Sequence, residues 1–197
     1  MTLQEAAPSD EALVLRAQQG DRRAFDALVS RHKHVLYRLV RRYVGDADDA
    51  YDILQDTLIS VWEALHRYDA KRSFLAWVRV IALNKCRDFS RRRRFRRLIL
   101  EAFAAEPTAA METEVPEQAD AQALAAQENL RLQRLAEAIA ALPKRYKEPL
   151  VLTTAGGLTQ EATAALLETT TKAIEMRLRR ARSKLMEALN PEGKSEE

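Results

Sequence analysis

Hydrophobic residues recur three or four positions apart along most of the chain, which is the spacing of one buried helix face. Over residues 10–100 this spacing predicts four helices. Asp10 is expected to cap the first helix, which stops at Gly20, and Gly45 is expected to end the second. Ser73 precedes the fourth helix, SFLAWVRVIALNKCRDFSRRRRFRRLI, as its predicted cap. The pattern therefore predicts a first helical domain over residues 10–100.

The periodicity fades over residues 101–119, where proline, threonine, alanine and acidic residues predominate. We expect a flexible acidic linker there. Helical spacing returns over residues 120–189, which are predicted to form a second helical domain. In it, Pro143 is expected to end one helix, and Pro149 to open or kink the short helix that follows.

The last two predicted helices, LTQEATAALL and TTKAIEMRLRRARSKLMEAL, are joined by the short turn LETT, and Thr169 or Thr170 is expected to cap the second. Such a pair is typical of a helix-turn-helix, whose second helix fits the major groove of DNA. A surface hairpin with a solvated basic face has the same pattern and is the alternative. With tails at residues 1–9 and 190–197, the predicted fold class is all-α: two small helical domains joined by a flexible acidic linker, the second a helix-turn-helix domain.

Composition agrees with this fold class and narrows the function. Only 5 Gly and 6 Pro occur in 197 residues, and a single cysteine, Cys86, excludes an intramolecular disulfide. No apolar stretch approaches the roughly twenty residues that span a bilayer, so we expect a soluble, cytoplasmic protein without direct membrane insertion. The sequence contains no glycine-rich phosphate loop, nucleophile motif or metal-ligand spacing. We therefore expect no catalytic residue, metal, cofactor or small-molecule substrate.

Charge is distributed unevenly along the chain. Residues 1–100 hold 20 Lys and Arg against 13 Asp and Glu, residues 101–141 hold 2 against 8, and residues 142–197 hold 10 against 8. The differences are +7, −6 and +2, which sum to the net charge of +3. Two basic modules that contact polyanions, joined by an acidic connector, fit this distribution.

The fourth predicted helix combines aromatic, amide and basic residues outside its apolar stripe. Trp77 and Asn84 lie near several cations, and six arginines occupy seven positions from Arg91 to Arg97. An aromatic ring, an amide and cations together suit unstacked single-stranded bases and their phosphates. The alternative places Trp77 in the core and leaves the arginines solvated.

The third predicted helix carries an acidic stripe opposite its apolar face. Asp49, Asp52, Asp56 and Glu63 are spaced three, four and seven residues apart, with Gln55 alongside. Like charges on one helix face reduce its stability, so a basic protein partner is one reason to retain them. An ordinary solvated face is the alternative.

Taken together, these segments resemble the extracytoplasmic-function (ECF) sigma factors, the compact two-domain group of bacterial RNA polymerase sigma subunits. The segment AYDILQDTLISVW is similar to the family's Asp-x-x-Gln-Glu pattern with a following Trp. SFLAWVRVIALNKCRDFSRR is similar to its W-(L/V)-x-x-I-A-x-N-x-x-x-D-x-x-R-R pattern. ALPKRYKEPLVL, GGLTQEA and RLRRARSKL match its Leu-Pro start, turn and Arg-Ala-Arg helix. The resemblance runs from about Asp10 to Leu189.

The resemblance implies a non-enzymatic subunit that binds core polymerase, melts the minus-10 promoter element and reads the minus-35 element in the major groove. Docking on a coiled coil of the largest subunit is implied for Asp49, Asp52, Gln55 and Asp56. Minus-10 contacts, including a pocket for a flipped base, are implied for Lys71, Arg72, Ser73, Trp77, Arg79, Asn84, Lys85, Arg91 and Arg92. Minus-35 contacts are implied for Thr171, Lys172, Glu175, Met176, Arg179, Arg180 and Arg182. The polymerase flap, promoter DNA and an anti-sigma factor are the further implied partners.

Several positions depart from the family pattern, among them Glu168 and Glu175. Glu168 stands where the usual turn glycine would adopt φ > 0 at little cost. Glu175 stands where many members carry a cation, and it either accepts from a cytosine amino group or pairs with Arg179. The roles of Arg94, Arg96 and Arg97 stay open, since a solvated helix end explains them equally well.

The acidic linker and two competing functions complete the predictions. In this family the linker threads the polymerase toward the RNA exit path, so its acids are expected to mimic the charge of RNA. An autonomous helix-turn-helix regulator would explain the second domain but not the acidic stripe or Trp77 and Asn84. A helical adaptor that binds only proteins is a rival from another class.

Overall fold

A computed structural model describes residues 8–103 and 120–190 of the protein. Within these ranges the chain forms eight α-helices, one 3-10 turn and no strand. The predicted all-α fold class is therefore confirmed. The elements are α1 (Asp10–Gln18), α2 (Arg22–Val44), α3 (Ala47–Ala64), a 3-10 turn (Leu65–Arg67), α4 (Phe74–Phe103), α5 (Asp120–Ala141), α6 (Lys144–Thr154), α7 (Gln160–Leu166) and α8 (Thr171–Leu189).

The first domain, α1 to α4, is built around α2, which packs against all three of the other helices. Leu28, Leu36 and Leu39 on α2 are fully buried, together with Val61 on α3 and Val78 on α4. Burying a Leu or Val side chain contributes about 1.5–3 kcal/mol. This shared core fixes the outward-facing surfaces of α3 and α4 relative to each other.

The start of α1 differs from the prediction. Ser9 caps the helix, because its extended backbone lets Oγ accept a hydrogen bond from the Ala12 N–H at 3.2 Å. Asp10 is instead the first helical residue, and its carboxylate bonds Arg31 at 2.5 Å and His32 Nε2 at 2.7 Å. Asp10 as N-cap was therefore wrong, since the neighbouring serine occupies that position and Asp10 ties α1 to α2.

The predicted ends of α2 and the start of α4 are found where expected. Gly45 ends α2 in the left-handed region, with φ 88, and Asp46 then caps α3 by accepting from two backbone N–H groups. Ser73 Oγ accepts from the Ala76 N–H at 3.4 Å at the start of α4. The helix α4 continues to Phe103, three residues into the predicted linker. Residues 104–119, which hold most of that linker, lie outside the described residues, as do most residues of the predicted tails.

In the second domain, α6 begins earlier than predicted. The carbonyl of Pro143 accepts from the N–H groups of Tyr146 and Lys147, so the helix starts at Lys144 and contains Pro149 in its middle. Of the two predicted roles of Pro149, opening the helix was therefore wrong, because Pro149 lies inside it. The missing proline N–H removes one helical hydrogen bond, while burial of neighbours such as Leu150 stabilises the helix across it.

The helix-turn-helix comprises α7 and α8. Thr159 caps α7, and Thr170, one of the two predicted candidates, caps α8 by accepting from the Ala173 N–H at 3.2 Å. Ala164 is buried where the helices meet, which agrees with the close crossing of a small residue. In the turn, Glu168 has φ 51, so it takes up the left-handed conformation that a glycine would supply.

The two domains pack against each other. The second half of α2 contacts both α5 and α6, and the buried apolar residues of the two domains form one continuous cluster. The approach is close at Gly45, where a Cβ atom would lie 3.2 Å from Ala140 Cβ. No helix within residues 8–103 or 120–190 is both long and apolar enough to cross a membrane.

Candidate nucleic-acid interface

The helix α8 separates a buried face from an exposed one. Ile174, Leu178 and Ala181 are buried at spacings of four and three, and they hold the helix against α5, α6 and α7. The residues predicted to contact the minus-35 element are all exposed: Thr171, Lys172, Glu175, Met176, Arg179, Arg180 and Arg182. An exposed helix face of this length and charge can enter a major groove.

One of these residues also contacts its own domain. Arg180 donates a hydrogen bond to the Tyr146 hydroxyl of α6, and this bond is the main reason that the pKa of Tyr146 lies below its usual value.

Trp77 on α4 belongs to an aromatic cluster at the edge of the first domain. Its ring is half-buried and stacks on Tyr68, with centroids 4.4 Å apart and planes inclined by 24°. The Tyr68 hydroxyl donates to the Arg72 carbonyl at 2.6 Å, which ties the exposed loop Lys71–Ser73 to this cluster. Trp77 therefore packs in part against the domain and leaves part of its ring accessible beside that loop.

Two arginines in the middle of α4 contact the second domain, and one of them also binds Asn84 of the same helix. Arg79 is 9% exposed, and its Nη2 donates to the Gly156 carbonyl. The Arg87 guanidinium forms two hydrogen bonds, of 2.7 and 2.8 Å, to the Glu148 carboxylate, which is the main cause of a raised Arg87 pKa. Arg87 also donates to Asn84 Oδ1 at 3.0 Å. Two of the predicted minus-10 residues, Arg79 and Asn84, are thus engaged within the chain.

The sequence did not predict the role of Glu148. It lies 61 residues from Arg87, and its side chain is 6% exposed. The only local signal was a carboxylate within the apolar sequence of α6, which requires a partner when it is buried. Lys147 beside it is also buried, with its ammonium 4.9 Å from the centre of the Tyr43 ring, and burial lowers its pKa.

The acidic face of α3 lies next to basic residues of α4. Asp52, Gln55 and Asp56 are exposed, while Asp49 is half-buried and lies 3.8 Å from an Arg93 nitrogen. A small groove of about 170 Å³ between the two helices is lined by both charge types: Asp49, Asp52, Asp56, Asp88, Lys85 and Arg92. The structure therefore places the predicted polymerase contacts beside part of the predicted minus-10 surface, along the groove between α3 and α4.

The arginine run extends along the exposed second half of α4. Arg91 pairs with Asp88 at 3.0 Å, and residues 91–100 are all exposed. Together with the ends of α2 and α5, the run borders an open cleft of about 1220 Å³ between the domains. Its lining includes Arg91, Arg94, Arg96, Arg97, Lys144 and Lys147. Such a cleft attracts polyanions without selecting a sequence.

Reactive and metal-binding groups do not contribute to these surfaces. Cys86 is fully buried, and burial raises its thiol pKa to about 12, so the thiolate is not populated at neutral pH. Across residues 8–103 and 120–190, no group of three or more His, Cys, Asp or Glu side chains is arranged to hold a metal ion.

Two helical domains, one ending in a helix-turn-helix and one displaying an aromatic and basic helix, match the two family models of the sigma-70 class. The model of Sigma-70 region 2 matches residues 28–96, and that of Sigma-70 region 4 matches residues 132–185. The first match runs from the first third of α2 through most of α4, and the second from the middle of α5 through most of α8.

Individual relatives show to which group within the sigma-70 class the chain belongs. The chain is 37% identical over 186 residues to the RNA polymerase sigma factor CnrH of Cupriavidus metallidurans, covering 92% of this chain and 95% of CnrH. It is 30% identical over 189 residues to the ECF RNA polymerase sigma-E factor of Escherichia coli, covering 93% and 95%. A solved structure of CnrH in complex with the cytosolic domain of CnrY aligns with a TM-score of 0.65 and 32% identity, covering 93% of this chain and 99% of that one. The chain belongs to the ECF sigma factors.

Proposed function

We propose that this ECF sigma factor docks on core RNA polymerase through α3, opens the minus-10 element with α4 and reads the minus-35 element with α8. The observation that carries the proposal is the exposed face of α8, where all seven predicted contact residues lie opposite the buried Ile174, Leu178 and Ala181. Binding and positioning, rather than catalysis, are the proposed contribution of this chain in the cytoplasm.

At the minus-35 element, Glu175, Met176, Arg179 and Arg180 are proposed to face bases, while Lys172 and Arg182 contact phosphates. Arg makes its commonest specific contact with guanine, and Glu accepts from the cytosine amino group. Contacts to phosphates fix the register of the helix on the duplex but carry no sequence information.

At the minus-10 element, the exposed loop Lys71–Ser73 and the accessible part of Trp77 are proposed to receive a flipped base. Extruding a base costs a few kcal/mol of stacking, which contacts in the pocket must offset. Asn84 supplies an amide for base edges, and the cations of α4 supply phosphate contacts: Arg79, Lys85, Arg91 and Arg92. Arg91 and Arg92 are exposed in this structure, whereas Arg79 reaches DNA only when the second domain leaves it.

Core polymerase is proposed to bind the acidic face of α3, which comprises Asp49, Asp52, Gln55 and Asp56. Three of these side chains are exposed, and a basic partner surface would neutralise their mutual repulsion. The flap of the polymerase is the proposed support of the second domain. An anti-sigma partner is proposed because the related CnrH was solved in complex with the cytosolic domain of CnrY.

In vitro transcription with purified core polymerase and a promoter library tests this function. We expect initiation at a defined set of promoters only when the chain is added to core. An autonomous regulator would bind duplex DNA without capturing core in a pull-down, and a protein-only adaptor would not support open-complex formation. Either result would contradict the proposal.

A further inference from the structure

Tyr68 connects the parts of the first domain that are proposed to receive a flipped base. It ends the 3-10 turn after α3 and is 7% exposed. Its hydroxyl donates to the Arg72 carbonyl at 2.6 Å, and its ring stacks on Trp77 with centroids 4.4 Å apart. The position of Tyr68 therefore affects both the loop Lys71–Ser73 and the aromatic ring beside it.

The Gln18 side chain of α1 binds the backbone at both ends of this 3-10 turn. Its Nε2 donates to the Leu65 carbonyl at 2.9 Å and to the Tyr68 carbonyl at 2.7 Å. A primary amide has two N–H donors on one nitrogen, so the two carbonyls use both of them. Leu65 and Tyr68 lie 47 and 50 residues from Gln18 along the chain, and the bonds therefore fix the turn against a different helix.

The helix α1 is in turn fixed to the rest of the first domain. Leu13 and Val14 are buried, and α1 packs on α2, α4 and the 3-10 turn. At the start of α1, the Asp10 carboxylate lies 2.7 Å from His32 Nε2 of α2. Gln18 is the last residue of α1 and is half-buried. A helix that is anchored at its start and along its buried face therefore presents the Gln18 amide to the turn.

Hydrogen bonds lead from α1 to the exposed loop in two steps. Gln18 binds the Tyr68 carbonyl, and the Tyr68 hydroxyl binds the Arg72 carbonyl. Asp69 accepts from two N–H groups of the loop, each at 3.0 Å, which shapes the loop without tying it to a helix. The side chains of Lys71–Ser73 are exposed, so a binding site there needs support from elsewhere. Groups that are already held in the productive arrangement lose less freedom on binding.

We propose that Gln18 is a positioning residue for recognition of the minus-10 element. By binding the two carbonyls of the 3-10 turn it fixes Tyr68, which orients the loop Lys71–Ser73 and the accessible part of Trp77 toward an extruded base. Gln18 acts through Tyr68 and does not itself touch the base. It also precedes residues 28–96, which the Sigma-70 region 2 model matches. The inference rests on the proposed function, because that function assigns the loop and Trp77 to the flipped base.

Amide hydrogen exchange in the free, full-length chain tests whether Gln18 holds the loop. Gln18→Met keeps the length of the side chain but removes both N–H donors. If the released population of the loop rises about fivefold, its amides, including that of Arg72, exchange about fivefold faster. Amides in the buried middle of α2 should exchange as in the wild type. Gln19→Met is the matched control, because it makes the same replacement at an exposed neighbouring position and should leave the loop unchanged.

Binding of the holoenzyme to single-stranded DNA distinguishes positioning from a purely structural role. The probes are the non-template minus-10 strand of a promoter from the transcription library and the same strand made abasic at the flipped position. If Gln18→Met lowers the competent fraction of the loop to about one fifth, affinity for the intact probe falls about fivefold. Affinity for the abasic probe should stay the same, since no base enters the pocket. Gln18→Lys, which retains N–H donors, should restore the wild-type ratio of the two affinities.

A second variant tests the step through Tyr68. Tyr68→Phe removes the hydroxyl that binds the Arg72 carbonyl but keeps the ring that stacks on Trp77. It should lower the same ratio of intact to abasic affinity. Combined with Gln18→Met it should add little, because both variants release the same loop.

Three results would overturn the inference: unchanged exchange of the loop in Gln18→Met, equal loss of affinity for the intact and abasic probes, or fully independent losses in the double variant with Tyr68→Phe. If Gln18→Met does not fold, Gln18→Glu provides the same tests, since it has the same size and its carboxylate has no N–H donor. A wild-type holoenzyme that binds the intact and abasic probes equally would overturn the proposed function instead. Exchange in the free chain needs neither polymerase nor DNA, so it still shows whether Gln18 holds the loop.

Discussion

The two helices assigned to DNA, α4 and α8, present their basic residues in opposite ways. On α8, a buried apolar face directs the cations outward, and Lys172, Arg179 and Arg182 are exposed. On α4, Arg79 is buried against a carbonyl and Arg87 is bound by a carboxylate of the other domain. The cations of α8 are therefore accessible, whereas Arg79 and Arg87 of α4 are covered in whole or in part by the second domain.

This difference shows that positive charge in a sequence is not equivalent to a nucleic-acid surface. The Arg87 guanidinium is occupied by the Glu148 carboxylate, and Glu148 belongs to the same chain, which gives it a high effective concentration. Within the described part of the chain, no buried carboxylate binds the exposed arginines of α8, and Arg180 contacts Tyr146. The fold therefore determines which of the cations are accessible at the surface.

The largest effect should follow from removing the buried support of α8. Ile174 is completely buried, so Ile174→Ala should lower the free energy of unfolding of the second domain by about 2–5 kcal/mol. Met176→Ala is the control, because its side chain is 52% exposed two residues away and its effect should stay within about 0.5 kcal/mol. Urea denaturation of the full chain measures both. Equal effects would refute the division of α8 into a buried and an exposed face.

The next effect distinguishes two cations on the exposed face of α8. Arg179→Ala should lose roughly 1–3 kcal/mol of holoenzyme binding at one minus-35 position and leave substitutions elsewhere unaffected. Arg182→Ala should weaken binding evenly across sequences and reduce the salt slope by about 1. Binding to promoters substituted one base pair at a time measures this. A uniform loss for Arg179→Ala would reassign it to a phosphate.

A smaller effect tests the edge where the acids of α3 meet the cations of α4. Asp52→Ala with Asp56→Ala should weaken competition for core about tenfold, or ~1.4 kcal/mol, with unfolding free energy changed by less than about 0.5 kcal/mol. The same variant should bind non-specific DNA more tightly, because Lys85 and Arg92 line the groove beside these acids.

The matched control for that variant is Glu11→Ala with Asp26→Ala, which removes two exposed charges from other helices of the same domain. It should raise non-specific DNA affinity less and leave core binding unchanged. If the two double variants competed equally well for core, the assignment of α3 to the polymerase would fail.

How well the sequence predicts a feature depends on how far apart along the chain the interacting residues lie. The all-α class, the end of α2 at Gly45 and the cap at Thr170 follow from local periodicity and local backbone chemistry, and the structure confirms them. Asp10 was assigned to a cap because serine and aspartate cap equally well, and only the backbone conformation selects Ser9. Pro149 does not open α6, as one of its two predicted roles required, because packing around α6 outweighs the loss of one hydrogen bond.

The contact between Arg87 and Glu148 could not be predicted from the sequence. Arg87 and Glu148 are 61 residues apart on different domains, and no sequence pattern links them. The family resemblance assigned Arg79 to the minus-10 element, but it did not indicate that Arg79 is buried against the second domain. Burial by another domain is a property of tertiary packing, which local patterns do not encode.

The smallest effect concerns the turn that leads into α8. Glu168 has φ 51, and the left-handed conformation costs a non-glycine residue roughly 1–2 kcal/mol. Glu168→Gly removes this strain but adds freedom to the unfolded chain, which offsets about 0.5–1 kcal/mol of the gain. We expect a net stabilisation of roughly 0.5–1 kcal/mol, seen as a melting temperature higher by about 2–3 °C. Glu168→Ala, which removes the charge but keeps a Cβ, should leave the melting temperature nearly unchanged. Equal stabilisation by both variants would show that the charge of Glu168, rather than its backbone conformation, limits the stability of this turn.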